Sequence, residues 1–269
     1  MKRIIILFFV LSGGILFLLS AQYYQNLQGM GGIDWTSGIV RATGIGSPNP
    51  NMPPSAQRAG AIEAAKQIAL RNLLQMVKGM YLNSETTIEN AITTSDVIRS
   101  QVEGIVRNFR VIDTRYLSDG SVEVDVEVPL SSFYDIILPP GQKSGETGAV
   151  PSTAIGTAYT GLIIDARGLG VRPALAPKIL DELGNEVYGT GYVDREYAIQ
   201  VGIVGYEKNL DRARKNERVA DRPLIVKGLK VSGKNQTDIV ISNSDAQLIR
   251  NAAANLNFLE QCKVMIILD

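Results

Sequence analysis

The chain has 269 residues, of which 45% are hydrophobic and 20% charged, with 27 basic and 27 acidic side chains and no histidine. That length suits two domains of about 100 to 150 residues, and the composition is that of a folded chain. Balanced charge excludes the long-range field that draws a protein onto nucleic acid, and the basic cluster Arg212, Arg214, Lys215, Arg218 and Arg222, interrupted by Asp211, Glu217 and Asp221, reads as a solvated helix face.

With Cys262 the single cysteine, zinc sites, imidazole bases, thiol dyads and an intramolecular disulfide are excluded or severely handicapped. A carboxylate site for magnesium or calcium is the metal chemistry left open. No cofactor, no metal and no catalytic residue is expected, and the chain reads as a non-enzyme.

Residues 1–21 open with Lys2 and Arg3, continue as an apolar run broken by Ser12-Gly13-Gly14, and end on Ser20 and Ala21. This is the layout of a secretory signal peptide cleaved after Ala21, with an uncleaved anchor as the alternative. Cleavage leaves 25 basic against 27 acidic residues. No cysteine lies near the junction, so there is no lipobox. Residues 22–33, polar and glycine-bearing, read as a mobile leader.

The first domain is expected over residues 34–138. Residues 35–45 suit a strand, the prolines from Pro48 to Pro54 a rigid turn, and Ser55 a cap for a helix over 57–82. Ile62, Ala65, Ala69, Leu73, Met76, Val77 and Met80 form its apolar stripe, whose alanines let it lie close on a sheet. After an irregular connection at 83–91, Ser95 caps a second helix over 96–108. Strands at 109–117 and 122–130 then form a hairpin. A three-residue loop, Ser118-Asp119-Gly120 with Gly120 left-handed, sets Ile112, Thr114 and Tyr116 opposite the buried valines of the second strand and Arg115 opposite Glu123 outside. The acidic row Glu123, Asp125 and Glu127 is the wet face of that hairpin.

A linker is expected over 139–155 and a second domain over 156–269. It begins with a buried strand at 161–165, followed by a loop whose residues Asp165, Arg167, Gly168, Gly170 and Arg172 are the candidate binding site. Gly168 and Gly170 echo a dinucleotide loop, but the third glycine is absent and Pro173 forbids the helix that should follow. Residues 178–180 and 186–188 form a hairpin around Leu183-Gly184-Asn185, with Asp181, Glu182 and Glu186 crowded enough for weak calcium binding. A strand at 198–204, a charged helix at 207–218 and strands at 224–231 and 238–242 follow. A helix at 246–259, capped by Ser244 or Asp245 and presenting Leu248, Ala252, Leu256 and Leu259, precedes a closing strand at 264–268. The fold class is α+β: two domains, each a small mixed or antiparallel sheet packed with helices, around two separate cores.

Over residues 34–138 the chain resembles the LPP-twenty lipoprotein family, a fold also used as the N-terminal domain of flagellar assembly protein T. The resemblance rests on Trp35, Gly38, Val40, Ala42 and Gly44, on the alanine-rich helix from Arg58 to Leu74, and on the hairpin from Val111 to Val128. It implies a structural protein of the cell envelope or flagellar basal body with no catalytic residues to carry over; together with the export signal the expectation is a periplasmic or secreted structural or assembly protein with protein partners or self-assembly, touching membrane only through the leader or a partner. The alternative is a periplasmic binding module for a lipid, glycan or peptide, using the Asp165–Arg172 loop. The chain departs from the lipoprotein members in lacking the acylated cysteine.

Overall fold

The computed structural model describes residues 22–27, 29–138 and 159–269. The signal peptide expected over 1–21 and the linker expected over 139–155 lie outside the described residues.

Residues 22–33, expected as a mobile leader, instead carry β1 (Tyr24–Leu27) and most of β2 (Gly31–Asp34). Gly31 and Gly32 leave space for their neighbours, and Gly31 also takes a φ of 127°. A Cβ on Gly31 would sit 2.1 Å from the Arg41 carbonyl oxygen, and one on Gly32 would sit 2.4 Å from the Tyr24 ring. β2 pairs with β3 (Ile39–Gly46), which receives the long helix α1 (Pro54–Gly79). Ala61, Ala65 and Ala69 are fully buried along that contact, and Asn72 Nδ2 donates to the Thr43 carbonyl at 2.8 Å. Ser55 does not cap this helix; it starts at Pro54, a position where proline's missing N–H costs nothing. The connection expected to be irregular contains α2 (Ile88–Thr94), capped by the Thr87 hydroxyl, which accepts from Asn90 N. α3 (Asp96–Arg107) is capped by Ser95 as expected, at 3.3 Å from Ile98 N.

The hairpin of β4 (Arg110–Tyr116) and β5 (Val122–Pro129) has the expected register from Asp113 to Tyr116, with Arg115 opposite Glu123 and Gly120 left-handed at φ 83°, but a register shift sets Val111 rather than Ile112 opposite Val126. The valines of β5 are buried, but Ile112 and Tyr116 are not, at 41% and 55% exposure. The reason is the position of α1 over β3 and β5, which leaves β4 at the rim. A 3-10 turn (Leu130–Phe133) and α4 (Tyr134–Ile137) complete the front half.

The second half contains β6 (Gly161–Asp165), β7 (Ile179–Leu180), β8 (Glu186–Tyr188), α5 (Arg195–Val201), β9 (Gly205–Glu207) and α6 (Leu210–Arg214), then β10 (Pro223–Lys227), β11 (Lys230–Ser232), β12 (Asp238–Val240), α7 (Asn243–Leu256) and β13 (Val264–Ile267). Among the described residues the strands form three sheets: β1-β2-β3-β5-β4, β10-β6-β13-β9 and β11-β12-β7-β8. The protein is α+β. In the second of these sheets all neighbours run parallel, which suits the unbroken burial of Leu162 to Ile164 and Val264 to Ile267.

Several elements differ from expectation: the helix expected at 207–218 is confined to α6, with Glu207 in β9, and the strand expected at 224–231 is split into β10 and β11. Residues 198–201 are helical, because the Asp194 carboxylate caps α5 through Glu196 N at 2.8 Å and Tyr197 N at 3.3 Å, and Gly202 ends it at φ 80°. α7 begins earlier than expected, with the Ser242 hydroxyl accepting from Asp245 N at 3.0 Å. Its buried face holds Ala246 and Ile249, while Leu248 is 41% exposed.

The expectation of two separate cores fails. Among the described residues one buried cluster runs from Ile33 and Trp35 through the β5 valines to Tyr188, Tyr206 and Ile266. Trp35 meets Tyr206 edge-on, with ring centroids 5.6 Å apart. Backbone bonds cross as well: Leu175 N to Tyr81 O at 3.0 Å, Ala176 N to Leu82 O at 2.8 Å, and Asn235 N to Ser84 O at 2.9 Å. The front domain thus gives part of its backbone hydrogen bonding to the second. Among the described residues no helix is long and apolar enough to cross a membrane.

Candidate functional site

The loop after β6 leaves the carboxyl end of a parallel sheet, the place where open sheets of this kind take ligands. Asp165, half-buried at the strand end, accepts from Arg167 Nε at 2.8 Å and pairs with its terminal nitrogen at 2.5 Å. The bonded Arg167 guanidinium holds the Asp165 carboxyl below its usual range against the opposing effect of burial. Gly168 and Gly170 are left-handed, at φ 79° and 67°, and Gly168 N donates to Asp269 Oδ1 at 2.6 Å. Arg172 points the other way. It donates to Tyr81 Oη at 2.8 Å, and its guanidinium carbon lies 5.8 Å from the centre of that ring. The structure therefore brings Asp165, Arg167 and Gly168 together and assigns Arg172 to the junction with the front domain.

Beyond Arg172 the chain dives inward. Tyr206 Oη donates to the Ala174 carbonyl at 2.8 Å and accepts from Ala174 N at 2.9 Å, pinning the loop over the shared core.

The acidic turn is likewise committed to the fold. Asp181 is 3% exposed and accepts from Leu183 N, Asn185 N, Asn185 Nδ2 and Arg250. Glu186 pairs with Lys178 at 2.7 Å, and Glu182 accepts from Asn243 N at the start of α7. Among the described residues no three carboxylate, thiol or imidazole groups are placed to share a metal ion.

A cavity of about 410 Å³ between the two halves was invisible in the sequence, because its walls come from segments far apart in the chain: Trp35, Gly38, Arg110, Glu127, Tyr134 and Arg218 among them. Arg218, read from sequence as part of a solvated helix face, lies beyond α6. It donates to the carbonyls of Gly202 at 3.0 Å, of Cys262 at 2.8 Å and of Val201. Glu127 lies on the expected wet face of β5 but is only 5% exposed. Arg41 Nε, at 3.1 Å, and Arg110 both bond it. Its bond from Arg110 holds the carboxyl below the ordinary value of 4.5, outweighing burial, and Arg41 adds to that.

A depressed carboxyl pKa contributes stability that is present above the unfolded value and lost as pH falls through the folded one. Asp165 shifts in the same direction, and so does Asp125, whose burial is outweighed by its bonds from Arg115 and Thr43. The urea midpoint is therefore expected to hold near neutral pH and to fall below about pH 4.5. Glu127→Gln should cost about 1.5–3 kcal/mol at pH 7 and flatten that fall; a variant with the wild-type profile would show that the triad contributes nothing.

Fold and site together define a two-domain α+β protein whose domains share their main core, with a smaller cluster of Ile163, Ala213, Val219, Met265 and Ile267 in the second half alone. Residues 23–129 match the family model described as LPP20 lipoprotein, so the resemblance carried by Trp35, the alanine-rich helix and the hairpin holds over that part of the chain. Residues 161–269 match the model described as Treponema pallidum Tp0624, second domain. No curated protein matches the chain. The front match supports the coarse assignment of an exported, envelope-associated protein.

Cys262 is fully buried at φ 56°, and burial pushes its thiol up to about 11. It is expected to resist a thiol reagent in the native protein and to react at once in denaturant; fast native labelling would contradict this burial.

Proposed function

We propose that the protein is a non-catalytic structural or assembly component of the cell envelope, acting in the periplasm through its surfaces. An outer-membrane-associated assembly or a flagellar basal body is the setting that the front-domain likeness suggests. The observation that carries the reading is the use made of the candidate loop. Asp165 and Arg167 neutralise each other, and Arg172 ties the second domain to Tyr81 of the first. Groups so engaged serve a rigid two-domain block.

The test is envelope fractionation with in-cell crosslinking. The chain should be recovered in a high-mass envelope complex, and recovery as a monomer outside any complex sinks the reading. The cavity between the halves favours a second reading, a binding module for a lipid, glycan or peptide, since junctions between domains are common ligand sites. For that reading Arg110→Ala should abolish a thermal shift produced by envelope extracts. An unchanged shift removes the cavity from consideration.

A further inference from the structure

β4 is the last strand of the first sheet, and all seven of its residues are exposed or half-exposed. Val111 and Ile112 are each 41% exposed, and Leu117, just past the strand, is 40% exposed. Its hydrogen-bonding directions follow from the turn. Leu117 N donates to Ser121 O at 2.9 Å, so in an antiparallel ladder Arg115 and Asp113 bond β5 while Thr114 and Tyr116 turn their backbone groups outward. Thr114 N agrees, because it donates to the Asp113 carboxylate at 2.8 Å.

Exposed edges are usually guarded by charges and bulges, and β4 has both: Asp113 with Arg115, and a register shift between Val111 and Asp113. The guard is self-complementary. If two β4 strands run antiparallel about a two-fold axis at Thr114, Asp113 of each copy faces Arg115 of the other and Ile112 faces Tyr116. Thr114 then sits at a hydrogen-bonded pair, where its outward N–H and C=O meet those of the other copy. The carboxylate that covers Thr114 N in the single chain then joins Glu123 and Asp125 on the facing Arg115.

We infer that β4 is a docking edge for a second copy of this chain, joining two five-stranded sheets into one across Thr114. This rests on the assembly reading and names its partner. The order of charges, acidic then basic about a central residue, selects an identical strand running the opposite way; a strand from another protein would have to supply the same order.

The experiment is sedimentation equilibrium of the full chain, with two variants. Thr114→Pro deletes an N–H that the β4–β5 ladder does not use, a change that edge strands tolerate. The wild type should sediment at twice the monomer mass. Thr114→Pro, with an unchanged circular dichroism spectrum, should raise the dimer dissociation constant at least about tenfold, since both copies carry the substitution and both bonds of the Thr114 pair are lost. Thr114→Cys should crosslink on oxidation, since residues facing at such a pair lie about 5.5 Å apart. Tyr116→Cys should not crosslink, because Tyr116 faces Ile112. A wild-type monomer, a dimer indifferent to Thr114→Pro, preferred crosslinking at Tyr116→Cys, or capture of a different protein by Thr114→Cys overturns the pairing. A dimer that passes these tests but is found in no envelope assembly overturns the assembly reading and leaves the pairing standing.

Discussion

Gly44→Ala is expected to lower stability by about 3 kcal/mol, read as a shift of the urea midpoint at unchanged slope. A Cβ there would lie 2.1 Å from the Ala65 carbonyl oxygen and 2.3 Å from Ala69 N, and at Gly46 the same atom would lie 2.1 Å from Ala61 O. These neighbours are helix backbone. No rotamer change can make room, so α1 must rise off β3 as a body and loosen the contacts of Leu73, Met76 and Val77 along its length. The control has the opposite sign: Gly104, inside α3, has open space around its Cβ position, and Gly104→Ala should stabilise by about 0.5–1 kcal/mol. If both alanine variants behaved alike, the close approach of helix and sheet would be wrong.

Trp35→Ala should cost about 3–5 kcal/mol and, more tellingly, should split unfolding into two steps. The indole is 4% exposed, stands edge-on to Tyr206 and borders the cavity between the halves, so its removal enlarges a void that water can enter. In the wild type the shared core couples the domains, and tryptophan fluorescence, which reports the junction alone because Trp35 is the sole tryptophan, should change together with circular dichroism. In the variant the dichroism should become biphasic. Two wild-type transitions would mean that the junction does not couple the domains.

Where the periodic signal was long the sequence was legible. The alternating valines of β5 fixed both its buried face and, through the loop at Gly120, the register with Arg115 opposite Glu123. The alanines of α1 announced the close approach that the glycines of β3 complete. Short segments were harder. Residues 198–201 fit either period, and the cap at Asp194 decided for helix. β1 and β2 escape a sequence reading because glycine signals clearance and conformational freedom alike, and Gly31 supplies both. The candidate loop was visible as an ion pair at a strand end, but Arg172 reaching Tyr81 was not, since nothing in local spacing reports which distant ring a side chain will meet. Arg218 and the buried Glu127 depend on how the two halves dock.

The placement of β13 inside its sheet, between β6 and β9, fixes an order of events. β6 is the first strand of that layer and gains its inner neighbour only when residues some hundred positions later have arrived. During synthesis the second domain must wait, its inner edge unpaired, while the front domain has all the strands of its own sheet in hand. A chain interrupted before residue 264 would leave β6 and β9 each with an open edge, and the front half without part of the core and backbone bonding that the second half supplies.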